Sequence, residues 1–95
     1  MSRYLCEFEV FGRVQGVLFR KYTKQQADSL HLTGWCMNTR DDTVKGEIEG
    51  PEDKINVMKQ WLEKTGSPSS NITKAVFSSL KTVESPVYQN FVIRR

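Results

Sequence analysis

The chemistry of this chain is concentrated in ten residues, Phe11-Gly12-Arg13-Val14-Gln15-Gly16-Val17-Leu18-Phe19-Arg20. They join a run that alternates apolar and polar residues to one with helical spacing, so they form a strand-to-helix loop. Two glycines there let the backbone reach positive φ and come close to a ligand. Successive amides curled in such a loop make a concave nest for anions. The following helix adds unpaired N–H groups and the positive end of its dipole. Arg20, in the first helical turn, brings a planar guanidinium that fits phosphate oxygens in a fork. The parts of a phosphate cradle are all present. Yet Gly-x-x-x-Gly near arginines is common, and on the residues alone an ordinary connecting loop weighs as much as an anion site. The segment is neither a Walker A loop nor a Gly-x-Gly-x-x-Gly motif.

The second element is Gly34-Trp35-Cys36-Met37-Asn38-Thr39. Asn38 falls near the end of a strand. Its neutral amide has two donors and an acceptor, and so can hold a water in one orientation without titrating. A turn asparagine is a commoner use of the residue, and the segment by itself favours that reading.

Elements of ordinary pattern must position these groups. Tyr4 to Phe11 alternates as a half-buried strand, with Tyr4, Cys6, Phe8 and Val10 on one face and Glu7 and Glu9 on the other. A helix is predicted from Phe19 or Arg20 to Leu32, with Gly34 as its stop. Short strands follow over Trp35–Thr39 and Val44–Ile48, about the polar turn Arg40-Asp41-Asp42-Thr43. Gly50-Pro51-Glu52-Asp53 opens a second helix, whose buried stripe is Ile55, Met58, Trp61 and Leu62 and whose end is Gly66. Ser67 to Asn71 reads as a loop. Ile72–Val83 and Val87–Ile93 read as strands. The order β-α-β-β-α-β, with one more short strand, predicts an α+β, ferredoxin-like split βαβ sandwich: an antiparallel sheet of about four to five strands with two helices on one face. Trp35 and Trp61 are assigned to the core. His31 lies at the far end of the first helix, about 16 Å from Arg20 at helical rise, and is read as a helix-end residue, not a general base.

Composition narrows the field. The 95 residues fit one domain, 1–95, with 38% hydrophobic residues, enough for a single core and too many for a disordered chain. Fourteen basic against eleven acidic residues leave a net charge of +3. The excess favours anionic ligands, but the basic residues are scattered, which does not suit nucleic acid. No apolar run reaches membrane-spanning length, and the early Glu7 does not suit a signal peptide. The expectation is a cytoplasmic protein without a membrane partner. Cys6 and Cys36 are read as buried, reduced thiols. One histidine and two separated cysteines do not make a metal site.

Gly12-Arg13-Val14-Gln15-Gly16-Val17 with Phe19-Arg20, followed by Gly34-Trp35 and Asn38, resembles the signature of the acylphosphatase family. The likeness continues through Gly46, Gly50-Pro51, Gly66-Ser67-Pro68-Ser69-Ser70 and Asn90-Phe91-Val92-Ile93-Arg94, and is nearer to the small animal-type enzymes than to the bacterial ones. The resemblance implies hydrolysis of the carboxyl–phosphate anhydride bond of acyl phosphates to a carboxylate and inorganic phosphate, with no metal, cofactor or covalent intermediate. It puts Arg20 in the place of the phosphate-binding arginine. The backbone N–H groups of Gln15, Gly16, Val17, Leu18, Phe19 and Arg20 become the cradle, and Asn38 the residue that orients the attacking water. Departures are Leu18 for a frequent aromatic, His31 for a frequent glycine, Cys36 for valine, Asp42 for a common turn glycine, and Arg95 for a terminal tyrosine. A small-molecule acyl phosphate is the expected partner, and a monomer the expected state. Two rival functions fit parts of the pattern. An RNA recognition motif shares the element order, but its third strand needs stacking aromatics, and here that strand reads Val44-Lys45-Gly46-Glu47-Ile48-Glu49. A non-catalytic phosphate-binding module would need the arginine but not the asparagine.

Overall fold

The computed structural model describes residues 2–16 and 18–94. Strand β1 spans Arg3–Arg13, helix α1 Phe19–Ser29, β2 Thr33–Asn38, β3 Val44–Gly50, helix α2 Glu52–Gln60, β4 Asn71–Phe77, β5 Lys81–Val83 and β6 Phe91–Ile93. The sheet runs β4-β1-β3-β2-β6, with β5 also paired to β1. Alternation along the strands sends Cys6, Phe8 and Val10 of β1, Val44 and Ile48 of β3, Cys36 of β2 and Phe91 of β6 to one face. There they meet Phe19 and Ala27 of α1 and Ile55 and Met58 of α2. Each large apolar side chain buried in this way contributes about 1.5–3 kcal/mol. The layered α+β sandwich with both helices on one face is as expected.

Several details depart from expectation. The sheet is mixed, because β6 runs parallel to β2, pairing Gly34 with Phe91 and Cys36 with Ile93. It counts six strands because the expected Ile72–Val83 strand breaks into β4 and β5. Around the break, the Ser78 N–H donates to the Glu7 carbonyl and the Ser78 hydroxyl accepts from the Glu7 N–H. The last strand starts at Phe91, not Val87, because the amides of Val87 and Tyr88 donate to the carboxylate of Glu49 instead of to a ladder.

Helix α1 stops well before Gly34. His31 takes the left-handed conformation, φ 58°, and the Leu32 N–H returns to the Ala27 carbonyl. Gly34 lies inside β2. Helix α2 continues into a single π turn, Trp61–Thr65, closed by the Gly66 N–H on the Trp61 carbonyl, and Gly66 ends the run as expected. Leu62 is buried, and Trp61 is half-buried with its ring 5.7 Å from that of Phe19. Trp35 is not a core residue. It sits on the open face of the sheet, its indole N–H donating to Glu47 and Tyr88 and the Arg94 guanidinium 4.3 Å over its ring.

Candidate active site

The loop after β1 begins with a bulge between Phe11 and Gly12 against β4. At φ 124°, a Cβ on Gly12 would sit 2.1 Å from the Asn71 carbonyl oxygen, so only glycine lets the strand turn here. Val14, buried, pins the loop to the core. Gly16 has φ 72° and open space around the place of its absent Cβ. Gly16 is one wall of a cavity of about 290 Å³, lined also by Val14, Leu18, Phe19, Arg20, Lys21, Asn38 and Ile93. The cavity brings together both elements singled out from the sequence, which lie on different parts of the chain.

The α1 end of the cavity is built to meet an anion. Leu18 is the residue before the helix, left-handed at φ 59°, and offers no side-chain cap. The first turn contains no acid. The leading N–H groups of α1 are therefore left without a side-chain acceptor at the positive end of the helix dipole. Among the described residues, the Arg20 side chain takes part in neither ion pair, which join Arg3 to Glu49 and Lys24 to Asp28. On the β2 side, Asn38 Oδ1 is buried and has no hydrogen-bond partner among the described residues. A buried amide oxygen without a donor is costly unless a ligand or water supplies one.

Of the cradle residues expected from the sequence, Gly16, Leu18, Phe19 and Arg20 line the cavity with Asn38. Val17 lies outside the described residues. Gln15 does not line the cavity. Its Nε2 donates to the carbonyls of Thr39, at 3.0 Å, and Thr43, at 2.9 Å. The side chain thus fastens the loop to the turn that begins immediately after Asn38. Sequence reasoning missed the rest of this network. The Thr43 hydroxyl donates to Glu9 at 2.7 Å and so accepts from the Thr39 hydroxyl, 2.6 Å away. The available signal was two threonines flanking a charged turn, each able to bond locally.

Cys36 lies beneath the site, its Sγ 4.0 Å from the Arg20 carbonyl. Burial pushes its thiol up to about 12, against a small opposing pull from Arg20, so it is not a nucleophile at neutral pH. His31 is exposed at the far end of α1. No group of three or more His, Cys, Asp or Glu side chains able to hold a metal occurs among the described residues. Among the described residues, no helix is long and apolar enough to cross a membrane.

Comparison with known proteins decides what family this geometry belongs to. The acylphosphatase family model matches residues 6–93. The chain belongs to the acylphosphatase family. Acylphosphatase-2 of Homo sapiens is 53% identical over 88 residues, which cover 93% of this chain and 89% of that one. Among solved structures, an acylphosphatase from Bacillus subtilis superposes with a TM-score of 0.84 at 33% identity, over 97% of this chain and 99% of the other. One from Coxiella burnetii gives a TM-score of 0.86 at 28% identity, over 98% and 94%. As an acylphosphatase the chain is an enzyme, a phosphohydrolase acting on acyl phosphates.

Proposed function

We propose that this acylphosphatase works by in-line attack of a water that Asn38 orients, on a phosphoryl group held by Arg20 and the backbone amides of residues 15–20. The observation that supports this most directly is the pairing, in one cavity, of a guanidinium outside the ion pairs of the described residues with a buried amide oxygen that lacks a donor among them. The water donates one O–H to Asn38 Oδ1, which turns its lone pair toward phosphorus. A new O–P bond forms as the P–O bond to the acyl group breaks, and the acyl oxygen leaves with the electron pair as a carboxylate. The fourth oxygen of the phosphate product thus comes from water, whose hydrogens stay with that product until they exchange with solvent. Because a carboxylate is a good leaving group, no strong general acid is required. Positioning and charge stabilisation on the equatorial oxygens do the catalysis. On this reading the enzyme needs no metal or cofactor and acts on a small-molecule acyl phosphate as a cytosolic monomer.

The test is hydrolysis of benzoyl phosphate by the purified protein with a metal chelator present, beside Arg20→Ala and Asn38→Ala. Loss of one such group is expected to cost about 2.7–4 kcal/mol, on the order of a hundred- to a thousand-fold in kcat. Activity that vanishes on chelation would refute the metal-free mechanism. Full activity in either folded variant would remove that residue from its role. A folded parent that binds phosphate and hydrolyses nothing would make the site a phosphate-binding module.

A further inference from the structure

The groups assigned to the phosphoryl half do not account for the whole cavity. It is about 290 Å³, close to the lower end of the range for small-ligand pockets and more than a phosphoryl group needs. Arg20, Lys21, Asn38 and the loop amides supply its polar lining. The other side chains that line it, Val14, Leu18, Phe19 and Ile93, are apolar, and two of them are unusual. Leu18 is 62% exposed, among the most exposed large apolar side chains of the molecule. It also holds a left-handed backbone that leucine disfavours and that glycine or asparagine would accept at less cost. The left-handed backbone helps curl the loop amides, while the side chain itself makes no cap and little packing within the fold. Strain of this kind, next to a site, points to a role there. Ile93, on β6, faces the same cavity and is half-buried. Val14 and Phe19, by contrast, are 1% exposed and belong to the core.

We infer that Leu18 and Ile93 form the acyl-binding shelf of this enzyme, so that it selects acyl phosphates with a flat or branched apolar acyl group over those with a small one. The inference rests on the reading of the cavity as the acyl phosphate site. The αL backbone of Leu18 turns its side chain out of the fold. The apolar acyl group covers it only when substrate is bound. Val14 and Phe19 contribute no more than a floor. A polar or charged acyl group would gain nothing on the shelf, while an acetyl group would reach little of it. The residues act on specificity and not on the bond-breaking step.

The experiment measures kcat/KM for benzoyl phosphate and acetyl phosphate with the parent, Leu18→Gly, Leu18→Asn and Ile93→Ala. Glycine and asparagine both accept the backbone of position 18, so these variants remove the side chain without demanding a new loop. The expected result is a parent preference for benzoyl phosphate that falls about tenfold in each position-18 variant, mainly through KM. A smaller fall in the same direction is expected in Ile93→Ala. A benzoyl-to-acetyl ratio that stays the same in Leu18→Gly and Leu18→Asn would overturn the shelf, as would equal losses for both substrates. A parent that hydrolyses neither substrate would instead overturn the acyl phosphate reading itself, so the two failures are distinguishable.

Discussion

Gln15 offers the sharpest test of how the two halves of the site are held together. Its Nε2 gives both hydrogens to the turn after Asn38, one to the Thr39 carbonyl and one to that of Thr43. The Thr43 carbonyl also accepts from the Thr39 N–H at 2.9 Å, so it keeps a partner if Gln15 is replaced. The Thr39 carbonyl would lose the donor that Gln15 supplies. In Gln15→Leu both hydrogen bonds are lost: the one to Thr43, whose carbonyl keeps a partner, at about 0.5–1.5 kcal/mol, and the one to Thr39, whose part-buried carbonyl is orphaned, at about 1–3 kcal/mol. The middle of that range is about 2–3 kcal/mol, which for a domain this small lowers Tm by roughly 10–20 °C. Urea denaturation with an unchanged m value would confirm that stability and not compactness has changed. Asn38 adjoins the loosened turn, and a misplacement of about 1 Å is enough for roughly a hundredfold loss of rate. The expected outcome, measured well below the lowered Tm, is a ten- to hundredfold fall in kcat with a much smaller change in phosphate affinity, of the order that such a misplacement allows. A folded Gln15→Leu protein with reduced stability and full kcat would refute the reasoning, showing that the clamp secures the turn and not the water-orienting amide.

Two other predictions concern stability. Glu49 is buried and receives hydrogen bonds from Thr33, Arg3, Val87 and Tyr88. Burial alone would raise its carboxyl, but these bonds outweigh it and hold the group below the usual carboxylate range. A depressed folded value contributes stability above the unfolded value, near 4.3, that is lost as pH falls through the folded value. Glu49→Gln should therefore cost about 1.5–3 kcal/mol at neutral pH and flatten the acid limb of a stability–pH curve; an unchanged limb below pH 4.3 would contradict this. His31 sits at φ 58° with an exposed side chain, so His31→Gly should relieve left-handed strain of about 1–2 kcal/mol, less the extra entropy glycine loses on folding. A net gain of up to about 1 kcal/mol, read as a rise in Tm, is expected, and a fall would show that the histidine side chain stabilises the helix end.

Much of this arrangement was legible in the residues. The loop glycines and Arg20 offered the parts of an anion cradle by type and spacing, whereas Asn38 by itself read as a turn residue and was drawn to the site only by the family resemblance; the alternation of β1 and β3 gave their inner faces directly. What escaped has physical reasons. Helix α1 ends on a left-handed His31, and since histidine carries no such signal, the nearest glycine, Gly34, drew the boundary. Trp35 was placed in the core by size. Counting in twos from Cys36 puts it on the opposite face, where its N–H and ring find Glu47, Tyr88 and Arg94. The late start of β6 depends on a carboxylate thirty-odd positions away in sequence, which no local pattern reveals. The Gln15 clamp was hidden for the same reason: its donor was visible, but its acceptors are carbonyls that every residue has.

The final strand merits a last consequence. β6 has three residues, one paired neighbour, and an approach held by the Glu49 carboxylate, yet it brings Ile93 to the cavity wall. The pocket therefore borrows part of its wall from a short element that Phe91 anchors in the core but that few ladder bonds hold. Partial opening there would strip the wall while β1, β3 and both helices stay folded. Enzyme activity then becomes a more sensitive gauge of acid strong enough to protonate Glu49, below the usual carboxylate range, than any spectroscopic signal from the core, and hydrogen exchange at Phe91–Ile93 should quicken in step with it.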